Sequence, residues 1–132
     1  AGYMFSAYQA LHYFKIIAES IKNPDGFIII NPNHSGFGPV IALDENESWE
    51  TPFGKVEIDM EFNDALGFEK DSSAHNYEHS GEVMLPFLQH FIKHSFKIVP
   101  VSLTKQTPDA AELLATAIFD ANKKLSRNLN II

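Results

Sequence analysis

Cysteine is missing from all 132 residues, so neither a disulfide framework nor a thiolate metal site can be built from this chain, and a reducing interior suits it. Arginine is nearly missing: Arg127 stands alone among ten basic residues, against seventeen acidic ones, for a formal net charge of −7. That balance repels phosphate backbones and anionic lipid surfaces, and no basic stripe offsets it. Nucleic acid and membrane surfaces are therefore not expected partners. No apolar run approaches the roughly 20 residues of a membrane span, and the start lacks the charged-then-apolar plan of a signal peptide. The cytoplasm is the expected compartment. An initiator methionine is also lacking, and the chain stops on the apolar pair of "NLNII", so both ends read as cut.

What is present has the size and the 45% hydrophobic content of one compact domain spanning 1–132, with no internal repeat. From Ser6 to Lys22, apolar residues at Ala7, Ala10, Leu11, Phe14, Ile17 and Ile21 keep helical spacing, with Ser6 as a fair N-cap. The breaker cluster Asn23, Pro24, Asp25, Gly26 precedes "FIII", short and β-branched as in a strand buried on both faces. Asn31 to Pro39, "NPNHSGFGP", then reads as a loop at that strand's carboxyl end, where open α/β sheets gather ligands. "VIALD" and "KVEID" flank a hairpin segment turning at "TPFG". A short helix starts near Asp59 and ends at Gly67, and Phe68 to Glu78 reads as loop.

Ser80 to about His94 carries another helical stripe, with Pro86 either kinking it or marking its true first turn. "FKIVPVSL" reads as a strand whose Pro100 argues for an end or an irregular edge. Thr107 and Pro108 open a helix through about Leu125 with Ala111, Leu114, Ile118 and Ala121 inward, and "NLNII" begins one more strand. Strands alternating with helices predict an α/β fold, a mostly parallel or mixed sheet with helices on both faces.

Chemistry concentrates in "AHNYEHSGEVMLPF", residues 74–87. His75 to His79 matches the H-x-x-E-H pattern of inverted zinc peptidases, which needs both imidazoles on one helix face. Ser72, Ser73, Asn76 and Gly81 are poor helix formers, so a polar loop whose Glu78 and Glu82 favour the next helix N-terminus explains the stretch at least as well. His34 follows "FIII" directly. A lone histidine in a loop is usually only hydrogen-bonded, but this one can lean over the carboxyl edge of the sheet, where Ser35, Gly36 and Gly38 allow close backbone approach. "GFG" lacks the third glycine and helix start of a dinucleotide fingerprint. His12, His90 and His94 lie in helical patterns as surface or boundary residues, and Ser80 reads better as a capping hydroxyl than as a nucleophile beside His79.

"AGYMFS", "NPNHSG", "WETPFGKVEID", "AHNYEHSGEVMLPFLQ" and "FKIVPVSL" stand in the order and spacing that resembles Memo-like proteins. Such proteins share their α/β fold with class III extradiol dioxygenases, which use non-haem Fe(II). The resemblance implies that His34 is a metal ligand and that His79, with Glu78, is the active-site block for proton transfer or substrate hydrogen bonding. Tyr3, Ser35 and His75 are possible pocket residues. The family's first motif carries a Pro-His before "AGY", and a further Asp/His motif and ligand follow its last strand. On this resemblance the chain looks like the amino-terminal half to two-thirds of such a protein, trimmed at both ends.

The implied cofactor is a divalent metal, iron favoured over zinc or copper. One histidine and a nearby carboxylate do not make the two-histidine, one-carboxylate set of non-haem iron, so the fragment alone is expected to bind metal poorly. The expected function is metal-dependent oxidoreductase chemistry on a small molecule. The alternative is a peptide- or phosphopeptide-binding module, less favoured for phosphate because Arg127 is the lone arginine. A structural domain without a live site is the third option.

Overall fold

The computed structural model describes residues 2–132; Ala1, the first residue of "AGYMFS", lies outside them. The chain opens with α1, Tyr3–Ser20, whose N-cap is Gly2. Ser6, expected at that cap, sits a turn inside the helix and its hydroxyl bonds back to the Gly2 carbonyl at 3.4 Å. Asn23 then takes φ 44°, a left-handed conformation that asparagine tolerates, and turns the chain into β1, Gly26–Pro32. Further along come β2, Ile41–Leu43, and the hairpin of β3, Ser48–Thr51, and β4, Gly54–Glu57.

Two short helices follow, α2 at Met60–Leu66 and α3 at Ser73–Asn76. A 3-10 turn, Glu82–Met84, leads into α4, Leu85–Phe91, with Pro86 in its first turn. The chain closes with β5, Lys97–Leu103, α5, Pro108–Leu125, and β6, Leu129–Ile131. No helix among the described residues is long and apolar enough to cross a membrane.

The main sheet is mixed, in the order β2-β5-β1-β6, with β1 parallel to both neighbours and β2 antiparallel to β5. Alternation along β1 assigns its side chains to two cores. Ile28 joins Val99, Val101, Phe62, Leu66 and Leu114 under α2 and α5. Phe27 and Ile29 join Ile98, Phe14, Leu85 and Leu88 under α1 and α4. Helices therefore cover both faces, and each fully buried large side chain contributes about 1.5–3 kcal/mol. In α5 Ala110, Leu114 and Ala121 are buried and Ile118 packs half-buried against the same core; Ala111 is exposed, one residue out of phase with the expected stripe.

Three further expectations are corrected. "VIALD" is not a hairpin arm: β2 within it joins the main sheet, and the hairpin pairs Trp49 with Val56 around the Thr51–Gly54 turn. The stretch read as loop contains α3, started where the Asp71 carboxylate accepts the Ser73 N–H at 2.9 Å. Pro100 is neither an end nor an edge but pairs with Ile29 in mid-strand. Lys97 donates its N–H toward β1, to the Asp25 carbonyl at 3.0 Å, so alternation turns the Pro100 nitrogen the other way. On that side β2 has already ended at Leu43, opposite Val101, and no ladder bond is lost.

Both ends of α2 and the start of α5 follow their sequence signals. Asp59 caps α2 by accepting the Phe62 N–H at 3.2 Å, Gly67 ends it at φ 72°, and Thr107 accepts the Ala110 N–H of α5 at 3.3 Å. One glycine is required by close approach instead of by turning. A Cβ on Gly26 would lie 2.3 Å from the Lys97 carbonyl oxygen on the paired strand. Gly26→Ala is expected to cost more than the usual overpacking penalty of about 1–3 kcal/mol, seen as a lower urea midpoint with unchanged slope. Wild-type stability in that variant would contradict this account of the β1–β5 approach.

Candidate functional site

β1 and β5 end side by side, and the Asn33 N–H still reaches the Leu103 carbonyl at 2.8 Å. The chain then turns sharply under the control of Asn33. Its amide nitrogen donates to the Phe37 carbonyl at 2.6 Å, while its Oδ1 accepts from the Ser35 hydroxyl at 2.7 Å and the Gly36 N–H at 2.9 Å. Gly36 and Gly38 take φ 74° and 84°, where a side chain would be strained. His34 is thereby held at the carboxyl edge of the sheet.

Glu78 reaches the same edge from the loop that follows α3. Its side chain is 2% exposed, against 60% for His34 and 68% for His79. Oε2 accepts the His34 backbone N–H at 2.6 Å, and both oxygens lie within 3.1 Å of His34 Nδ1. Oε1 also accepts the His79 N–H at 3.0 Å, the Ser80 N–H at 2.9 Å and the Ser80 hydroxyl at 2.7 Å. Burial alone would raise the Glu78 pKa, but the His34 and Ser80 donors outweigh it and hold the carboxyl at about 2. Because a carboxylate only accepts, His34 Nδ1 carries the proton of that bond, and in the neutral ring Nε2 is left with its lone pair free.

The His34 and His79 rings lie nearly parallel, 25° apart with centroids 5.9 Å apart. His79 Nδ1 stands 3.7 Å from Glu78 Oε1, beyond hydrogen-bond range, so this ring lacks the brace that orients His34. Gly81 lets the loop lie on the end of β1, because a Cβ there would come 2.8 Å from Asn31 Oδ1. Ser80 is not a helix cap; its hydroxyl serves Glu78.

The remaining candidates are placed elsewhere. His75 is 6% exposed and faces Trp49, with Nε2 3.3 Å from the Ala42 carbonyl; burial lowers its pKa despite Asp44 and Asp71 nearby. It lies on α3 and His79 lies beyond that helix, so the two imidazoles do not share the helix face a zinc peptidase needs. Ser35 is occupied inside its own loop. The Tyr3 hydroxyl donates to the Val83 carbonyl at 2.9 Å, and its ring borders a separate apolar cleft of about 580 Å³ between α1, the hairpin turn and α4. A larger concavity, about 920 Å³, is at the amino end of the sheet, where Lys97 and Arg127 are paired with Glu57 and Asp59.

Among the described residues no group of three or more His, Cys, Asp or Glu side chains is arranged to hold a metal ion. The described residues alone therefore do not give His34 a full metal-ligand set. Sequence reasoning missed Asp44, fully buried, which accepts the Trp49 indole N–H at 2.6 Å and braces the hairpin beside His75. Its one signal was a carboxylate directly after the apolar "IAL".

The sequence profile described as "Memo-like protein" matches residues 1–132. The chain belongs to the Memo-like family. A MEMO1 family protein of Saccharolobus islandicus is 43% identical over 130 residues, covering 94% of this chain and 45% of that protein. Relatives of the same family name from Methanopyrus kandleri and Pyrococcus abyssi are 42% and 41% identical, each covering 100% of this chain and 48% of the relative. The chain thus spans about half the length of the curated relatives it matches. In this Memo-like chain the "NPNHSG" and "EHSGE" motifs, 44 residues apart at His34 and Glu78, meet through one carboxylate.

The depressed Glu78 pKa makes an acid-stability prediction. Stability from ionised Glu78 is fully present above the unfolded carboxyl value of 4.5 and is lost as pH falls toward the folded value of about 2. Its size is on the order of 3 kcal/mol. Glu78→Gln should therefore lower the urea midpoint at pH 7 and flatten its decline between about pH 4.5 and 2. A variant with the wild-type acid profile would remove Glu78 as the source.

Proposed function

We propose that this chain contributes the histidine portion of a metal-dependent site in a Memo-like protein, with His34 Nε2 as a ligand to a divalent cation, iron favoured over zinc or copper. The observation that carries this reading is the Glu78 carboxylate on His34 Nδ1, at 3.0 and 3.1 Å. Metal-binding histidines commonly donate the opposite ring N–H to such a group, which fixes the tautomer and raises ligand basicity. When bound, the metal supplies Lewis-acid or redox chemistry to a small-molecule substrate. This reading requires further donors beyond the described residues.

The protein's own residues have distinct tasks in this reading. Glu78 holds His34 and does not act as a base, since both its oxygens are already engaged and its carboxyl is held at about 2. His79, exposed and unbraced, is the group free to exchange a proton with a bound molecule. The reaction type is the one implied by the resemblance to class III extradiol dioxygenases.

A second reading, a peptide-binding module, is favoured by the apolar cleft bordered by Leu11, Phe53, Pro86 and Phe87. A phosphopeptide suits the chain less well than an unmodified apolar one, because Arg127 is already paired with Asp59 and Glu61.

Metal analysis of the complete protein, purified without chelator, separates these readings. The wild type should retain metal, His34→Ala should lose it, and Glu78→Gln should weaken affinity about 10–100-fold. Equal metal content in wild type and His34→Ala would remove His34 from the ligand set. Peptide-array binding that survives His34→Ala and His79→Ala would locate recognition at the cleft instead.

A further inference from the structure

A trough runs between the β3–β4 hairpin and the segment that enters α4. At one end Trp49 and Glu50 of β3 line a hollow of about 350 Å³ together with His75 and Glu82. The next hairpin residues, Thr51 to Phe53, line the apolar cleft of about 580 Å³ together with Glu82, Pro86 and Phe87. Glu82 borders both hollows, so they adjoin at this residue.

The two ends differ in chemistry. Glu50 and Glu82 are exposed, neither forms an ion pair among the described residues, and no lysine or arginine lines either hollow. Glu78 also borders the smaller hollow, but its oxygens are taken by His34 and Ser80. His75 adds no cation there, because burial lowers its pKa despite Asp44 and Asp71 nearby. Carboxylates without a counter-charge at the rim of a hollow attract a cation. The other end is walled by Leu11, Phe53, Pro86 and Phe87. Burial, and then the charge of Glu82, raise the pKa of the Tyr3 hydroxyl, so the field of this carboxylate reaches the apolar end.

The walls are held in place by the protein's own bonds. Asp44 accepts the Trp49 indole N–H at 2.6 Å and fixes that ring. The Thr51 hydroxyl donates to Gln89 Oε1 at 2.5 Å, and Gln89 Nε2 donates to the Gly54 carbonyl at 3.1 Å, which ties the hairpin turn to α4. Little ordering entropy therefore opposes binding in the trough.

We propose that this trough binds a small alkylammonium ion, with its charged nitrogen beside Glu50, Glu82 and the Trp49 ring and its hydrocarbon tail in the apolar cleft. An indole face attracts a cation, and the cleft rewards each methylene taken from water. A carboxylate head on the same tail is repelled by both glutamates, and a neutral head forgoes their attraction. The proposal uses neither His34 nor a metal, so it stands or falls apart from the metal reading, and it assigns the cleft to a small molecule instead of a peptide.

Trp49 is the lone tryptophan of the chain, so its fluorescence reports binding directly. Hexylammonium, hexanol and hexanoate are titrated into the full chain at pH 7. Hexylammonium should give a saturable change and bind more tightly than hexanol, with hexanoate weakest. Affinity should rise about fourfold per methylene from propylammonium to hexylammonium. Glu50→Gln and Glu82→Gln should each weaken hexylammonium about fivefold and leave hexanol unchanged. Phe53→Ser, at an exposed turn position, should reduce the gain from the longer tail. Glu112→Gln, an exposed carboxylate on α5 outside the trough, should bind as the wild type does. Hexanoate binding as tightly as hexylammonium, affinity indifferent to tail length, or an equal loss in Glu112→Gln would overturn the proposal.

Discussion

One buried carboxylate gathers the donors of two loops that are 44 residues apart in the chain. Glu78 accepts from the backbone of His34, His79 and Ser80, from the Ser80 hydroxyl and from the His34 ring. An ionised group so poorly exposed would cost several kcal/mol if left unpaired, so the loops are stable in this arrangement only together. The same bonds that offset that cost also orient an imidazole and leave its far nitrogen free. Stability and the orientation of the His34 ring therefore share one set of contacts, and weakening the carboxylate loosens both.

The sheet decides where this happens. β1 and β5 are paired in parallel and buried on both faces, which leaves their carboxyl ends as the place where backbone can leave the layer and carry polar side chains. His34 is two residues past the end of β1. The loop before α4 is seated there by contact with that strand: Ser80 lies 3.3 Å from the Pro32 carbonyl, and Gly81 packs on Asn31. Rigid strands set the frame, and short hydrogen-bonded turns set the last few ångströms.

Local chemistry was legible where it is self-contained. Thr107 followed by Pro108, Asp59 before an apolar stripe, Gly67 after it and the apolar "FIII" each specify an element through neighbours in sequence. The antiparallel placement of β2, the tolerance of Pro100 in mid-strand and the buried seat of His75 were not legible, because each is fixed by a partner distant in the chain: β5, the end of β2, and Trp49 with Ala42. The swap of Ala111 for Ala110 is a phase error between neighbouring alanines, which differ in position and not in chemistry. For the site, His34 could be singled out from its place after a strand, and the family motifs pointed to Glu78 and His79. That Glu78 braces His34 appears only once both loops are folded onto the same edge.

The tautomer of His34 tests this account most directly. Nitrogen-15 NMR of the imidazole in the metal-free protein, at a pH where the ring is neutral, reports which nitrogen carries the proton. A protonated Nδ1 with a bare Nε2, lost in favour of a tautomer mixture in Glu78→Gln, is the expected result. A wild-type ring protonated at Nε2, or one whose tautomer ignores residue 78, would contradict the claim that Glu78 organises the site.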